Sequence, residues 1–86
     1  MPTISTFYGI IIRMYYSEHN PPHIHTYYQS DVGIYDIKEC ELTDGNMPKK
    51  QDRLIKAWVE LHKDELLANW QLAQNHEEIV KIEPLK

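Results

Sequence analysis

Residues 8–28, YGIIIRMYYSEHNPPHIHTYY, decide how this chain folds. From Tyr8 to Tyr16 the chain is rich in β-branched and aromatic residues, the composition of a strand. Alternation puts Tyr8, Ile10, Ile12, Met14 and Tyr16 on one face, and Gly9, Ile11, Arg13 and Tyr15 on the other. Ser17 to Pro22 cannot continue a ladder, because proline has no N–H to donate and Pro21 biases Asn20 towards extended geometry. The chain turns there, and His23 to Tyr28 reads as the returning strand. Ile24, Thr26 and Tyr28 share one of its faces, while His23, His25 and Tyr27 share the other.

Working outward, Gln29-Ser30-Asp31 has turn chemistry, Val32 to Ile37 makes a third strand, and Cys40 to Thr43 a short fourth. Asp44-Gly45-Asn46 closes this meander. The hydrophobic period then changes. Ile55, Val59, His62, Leu66, Trp70 and Ala73 form one helical stripe, widened by Leu54, Trp58 and Leu61. Pro48 suits a first helical turn. Either one long helix runs from about Pro48 to Asn75, or two helices meet near His62–Asp64, with Asp64 as a good cap for the second. Ile79 to Ile82 reads as a last short strand. The fold class is α+β: a small antiparallel meander of three or four strands, packed on one face by a long or kinked C-terminal helix. Ile10, Ile12, Met14, Ile24 and Ile34 would meet Leu54, Trp58, Leu66 and Trp70 in its core.

The 86 residues make a single domain, spanning residues 1–86. The lone Cys40 rules out an internal disulfide and reads as a buried structural thiol. No signal peptide is legible. The longest aliphatic block, Ile10 to Ile12, falls far short of the roughly 20 apolar residues of a membrane span. A cytoplasmic protein without membrane association is expected. Thirteen acidic against nine basic residues give a net charge of −4, which argues against a general nucleic-acid glue. A local basic cluster, Lys49, Lys50, Arg53 and Lys56, is the candidate nucleic-acid contact, and its plainer reading is a solvated helix face.

Three of the five histidines fall within His19-Asn20-Pro21-Pro22-His23-Ile24-His25. His23 and His25, two apart on a strand, project from one face, and the turn could bring His19 back towards His23. That face also carries Arg13, Tyr15 and Tyr27, with Tyr35 a further candidate. Three readings follow. His19, His23 and His25 could ligate a divalent transition metal such as zinc, nickel or iron, with Glu18 or Asp36 as candidate fourth ligands. Alternatively the face is a metal-free catalytic site. His23 and His25 would then move protons, Arg13 stabilise a phosphate or oxyanion, and Tyr15 and Tyr27 stack or donate, a set suited to cleaving RNA through its own 2′-hydroxyl. The third reading is structural: turn residues and strand-edge histidines that hydrogen-bond to backbone, or that dock a partner. His62 reads as a core or boundary histidine, His76 as a residue favouring the helix C-terminal dipole, and Trp58 and Trp70 as anchors of helix to sheet. A phosphate-binding glycine loop, a nucleophile elbow and paired catalytic carboxylates are all missing from the sequence.

Pro2-Thr3-Ile4-Ser5, Phe7-Tyr8-Gly9-Ile10, Ile12-Arg13-Met14, the His19–His25 segment and Trp58-x-x-Leu61-His62-x-x-Glu65-Leu66-x-x-Asn69-Trp70 together resemble a bacterial family known as domain of unknown function 4160. The likeness runs from about Pro2 to Leu85. The Gln29-Ser30-Asp31 loop is more polar than that pattern, which bears on the register of the third strand. The resemblance carries over no catalytic residues. It implies a toxin–antitoxin-type component acting through a second small protein encoded nearby, with Arg13, His19, Asn20, Pro21, Pro22, His23, His25, Trp58 and Trp70 at signature positions. RNA and a second copy of the chain are further partners compatible with this reading.

Overall fold

The structure is a computed structural model and describes residues 2–86. Five antiparallel strands run in sequence order: β1 (Thr3–Phe7), β2 (Ile10–Arg13), β3 (His23–Tyr28), β4 (Asp31–Asp36) and β5 (Glu41–Gly45). Two helices follow, α1 (Lys49–Leu61) and α2 (Lys63–Gln74). The α+β class and the meander stand as expected, but the sheet has five strands rather than three or four. The extra strand is β1, which precedes the segment read as a strand from Tyr8 to Tyr16; of that segment only Ile10–Arg13 is β2. Tyr8 and Gly9 both take positive φ, 50° and 79°, and so form a two-residue reversal that pairs Phe7 with Ile10. Tyr8, within that reversal, and Tyr16, beyond the end of β2, stand exposed, while Ile10, Ile12 and Met14 remain fully buried.

Of the two alternatives, one long or kinked helix or two helices meeting near His62–Asp64, the structure has the two helices. His62, at φ −115° and ψ 23°, breaks helical geometry between α1 and α2 and caps both. Asp64 lies inside the first turn of α2, where its charge suits the helix dipole, rather than at the cap. Ile55, Trp58 and Val59 of α1 and Leu66, Trp70 and Ala73 of α2 are buried against one sheet face. Across that interface the Phe7 and Trp58 rings sit 5.4 Å apart.

Two further expectations are corrected. Ile34 was placed in the core, yet Tyr35 is the fully buried residue and Ile34 lies opposite His25. The two-residue connection Gln29-Ser30 pairs Tyr28 with Asp31, and that register sets Ile24 beside Tyr35. A shift of one residue exchanges the faces of a whole strand. Tyr35 is therefore removed from the histidine face, and its hydroxyl donates to Asp52 Oδ1 at 2.7 Å. Residues 79–82 are not a strand; they form part of an extended arm whose Ile82 N–H donates to Ile4 O at 2.8 Å. No helix among the described residues is long and apolar enough to cross a membrane.

Candidate functional site

With α1 and α2 on one face of the sheet, the opposite face is built from Ile11, Arg13, His23, His25, Tyr27, Val32 and Ile34, with Tyr15 just beyond β2. Its polar centre lies where β3 begins. His23 Nε2 and His25 Nε2 converge on a single oxygen, Glu18 Oε1, at 3.1 and 2.5 Å. One ligand atom from each of Glu18, His23 and His25 falls within 4.8 Å of the others. Ligand atoms about 3–3.4 Å apart surround a zinc-sized ion; the 3.1 Å pair already has that separation, and the 2.5 Å pair would open to reach it.

The loop that carries Glu18 is fastened by α2. Gln74 Nε2 donates to the Glu18 carbonyl at 2.8 Å, and Trp70 Nε1 donates to Asn20 Oδ1 at 3.2 Å. Ser17 Oγ and His76 Nε2 share a third hydrogen bond of 3.2 Å. Each imidazole is also walled by an aromatic ring, Trp70 at 5.0 Å from His23 and Tyr15 edge-on at 4.6 Å from His25. Helix burial thus positions the polar centre on the far side of the sheet.

The protons can be placed at His23. A carbonyl only accepts, so the 2.8 Å bond between His23 Nδ1 and Pro21 O puts a hydrogen on Nδ1. A neutral His23 then turns the lone pair of Nε2 towards the Glu18 carboxylate. Two electron-pair donors 3.1 Å apart need a proton or a cation between them. Backbone fixing of the outer ring nitrogen is the arrangement that orients metal-ligating histidines. Burial alone would raise the Glu18 carboxyl, but hydrogen bonds from His25 and His23, and their charge, outweigh it and hold it below its usual range.

The remaining candidates surround this centre. Arg13 pairs with His25 in register, its Nε donates to Thr3 Oγ1 at 3.3 Å, and its guanidinium lies 5.1 Å from the Tyr27 ring centroid. The Tyr15 and Tyr27 hydroxyls are hydrogen-bonded at 2.5 Å. Burial first, and then Tyr15, push the Tyr27 phenol up, against the opposing charge of Arg13. Arg13, Tyr15, His23, His25 and Tyr27 are therefore neighbours. His19 is exposed and stands outside the three converging groups. Asp36 faces His23 in register, but its Oδ1 accepts the Glu39 N–H at 2.8 Å and holds the following turn.

Lys49, Lys50 and Arg53 are exposed on α1, whose buried side packs on the other face of the sheet, and Lys56 pairs with Asp52 at 3.1 Å. The basic cluster and the histidine face are therefore separate surfaces. Cys40 is partly buried, with burial and then Glu60 pushing its thiol up, away from a nucleophile's range. Glu18 was legible only as a candidate fourth ligand. The signal that marks it is the spacing Glu18-x4-His23-x-His25 on two sides of a proline turn.

A family model described as a domain of unknown function (DUF4160) matches residues 9–71, a span that includes Arg13, Tyr15, Glu18, His23, His25 and Tyr27. No curated protein and no solved structure matches the chain.

Proposed function

This chain belongs to the family of that domain of unknown function, and on that premise we propose that the open sheet face is its working surface, built around a divalent-metal site of Glu18, His23 and His25. The observation that carries this reading is the convergence of His23 Nε2 and His25 Nε2 on Glu18 Oε1, with His23 Nδ1 already committed to Pro21 O. Two histidines and one carboxylate occupy three positions of a cation such as zinc, nickel or iron and leave the others to water or substrate. The side chains of His23, His25 and Glu18 retain 17, 19 and 32% of their exposure, so the open positions are reachable. The test is titration of untagged, chelator-stripped protein with zinc, nickel and ferrous iron, followed by metal analysis. One equivalent is expected. Glu18→Gln, His23→Ala and His25→Ala should each weaken binding by at least about 100-fold, and His19→Ala should leave it within about threefold. Absence of stoichiometric metal, or binding that survives Glu18→Gln, rejects the reading.

A second reading is favoured by Arg13, Tyr15 and Tyr27, which extend the polar centre into a cationic and aromatic surface. Here the protein is a toxin–antitoxin-type component that meets RNA or a partner protein on this face. Without a metal, a doubly protonated His23 would pair with Glu18, His25 would exchange protons with the same carboxylate, and Arg13 would neutralise a phosphate. Induced expression in a bacterial host should arrest growth, and a His23→Ala/His25→Ala variant at equal soluble level should relieve it. Equal growth of both would exclude a toxin acting through these histidines.

A further inference from the structure

β1 is an outer strand of the sheet, paired with β2 on one side. Its other side faces an arm of the same chain. α2 ends with His76 at φ 57°, where the His76 N–H donates to Ala73 O at 3.2 Å and the Glu77 N–H to Leu72 O at 2.8 Å. These paired bonds close the helix and send the chain back across the molecule. The arm that follows is held by backbone hydrogen bonds and by Ile79, Ile82 and Leu85, which pack on the core. Asn69, almost wholly buried, donates from Nδ2 to Val80 O at 2.7 Å and accepts the Val80 N–H at Oδ1 at 3.0 Å. Trp58 Nε1 donates to Glu83 O at 2.8 Å, and the Ile82 N–H donates to Ile4 O. Between Val80 and Glu83 only Ile82 is buried, while the Val80 side chain is 62% exposed.

The arm does not complete the strand edge. A cleft of about 330 Å³ lies between it and β1, lined by Thr3, Ser5, Thr6, Lys81 and Glu83 among others. Ser5 is 7% exposed, and its hydroxyl is without a hydrogen-bond partner among the described residues. A buried hydroxyl left unpaired is costly, and this one lines the cleft.

We propose that the β1 edge is an acceptor for an extended peptide supplied by a partner protein. The incoming strand would add to β1, set a branched aliphatic side chain in the slot of Ile82, and take over the clamps of Asn69 and Trp58. The chain's own arm is the competitor that it displaces. An extended peptide is the occupant because the clamps address peptide N–H and C=O groups, and main-chain pairing with one side-chain pocket is how sheet edges take up strands. This proposal does not depend on the metal reading and involves none of its residues.

Tethering gives the arm an effective concentration of order millimolar, so the wild type should mask the groove. The probe is a fluorescein-labelled peptide of residues 77–86, followed by anisotropy with full-length protein. Val80→Pro removes the N–H that Asn69 accepts while altering an exposed side chain, and Ile82→Asp empties the slot. Both variants should bind the peptide at least tenfold more tightly than wild type. A peptide carrying aspartate at the Ile82 position should not bind, and adding Asn69→Ala to Val80→Pro should abolish capture. Failure of a folded Val80→Pro protein to bind the peptide overturns the proposal, as does equal binding by wild type.

Discussion

The two sides of β3 divide the labour of the molecule. Ile24 and Thr26 are completely buried under the helices, whereas His23, His25 and Tyr27, interleaved with them, remain partly exposed. On the core side packing dominates, and even the Thr26 hydroxyl is satisfied by Gly33 O at 2.8 Å. On the open side the polar groups answer one another through Glu18, Arg13 and the tyrosine pair. One strand thus carries a packed core and a polar cluster through residues of opposite parity. Substitution on one side should leave the other side's property largely intact.

The largest expected effect comes from the core side. Ile24→Ala removes a fully buried side chain and should cost about 2–5 kcal/mol in urea unfolding, without changing metal stoichiometry in the folded fraction. Unchanged stability would mean that the helices do not seal this face.

Next comes Tyr35, buried and donating to Asp52. Burial first, and then the Asp52 carboxylate, push its phenol well above its ordinary value of 10.0. Because the folded value is raised, this stabilisation is fully present below pH 10 and is lost as pH rises towards the folded value. Melting temperature should therefore decline above about pH 10 in the wild type, and less steeply in Tyr35→Phe. That variant should lose about 1 kcal/mol at neutral pH with its hydrogen bond. Parallel alkaline profiles would remove Tyr35 as the cause.

The smallest stability effect should be His25→Ala. Its partner Glu18 is partly exposed, and the lost bond should cost no more than about 1 kcal/mol by urea unfolding, even as metal binding disappears. A cost like that of Ile24→Ala would make the polar centre a structural element and erase the distinction between the faces.

Local chemistry was legible where it was periodic. Alternation placed Ile10, Ile12, Met14 and Ile24 in the core, and His23, His25, Arg13, Tyr15 and Tyr27 together on the other face. It failed where one or two residues reset the count. Tyr8 and Gly9, read as the start of a strand, instead reverse the chain between β1 and β2, and Gln29-Ser30 sets Tyr35 rather than Ile34 beneath the helices. His62 kept the helical stripe in sequence while breaking the helix in space. Glu18 displaced His19 from the polar centre for a similar reason: the path of a proline turn is not periodic.

The amino-acid sequence by itself determined the α+β class, the two chemically distinct faces of the β2–β3 pair, and a histidine-rich surface, because side-chain parity along a strand is a property of the backbone. Tertiary structure alone decided which acid completes the histidine pair, and that the basic residues of α1 lie on a separate surface. It also decided that the arm after α2 lies beside β1 rather than joining its ladder. The placing of Glu18 depends on Trp70 and Gln74 reaching from α2 to a loop 50 and 56 residues away, and that of the arm on Asn69 meeting Val80. Such long-range hydrogen bonds are set by how helix and sheet dock, and no local pattern encodes them.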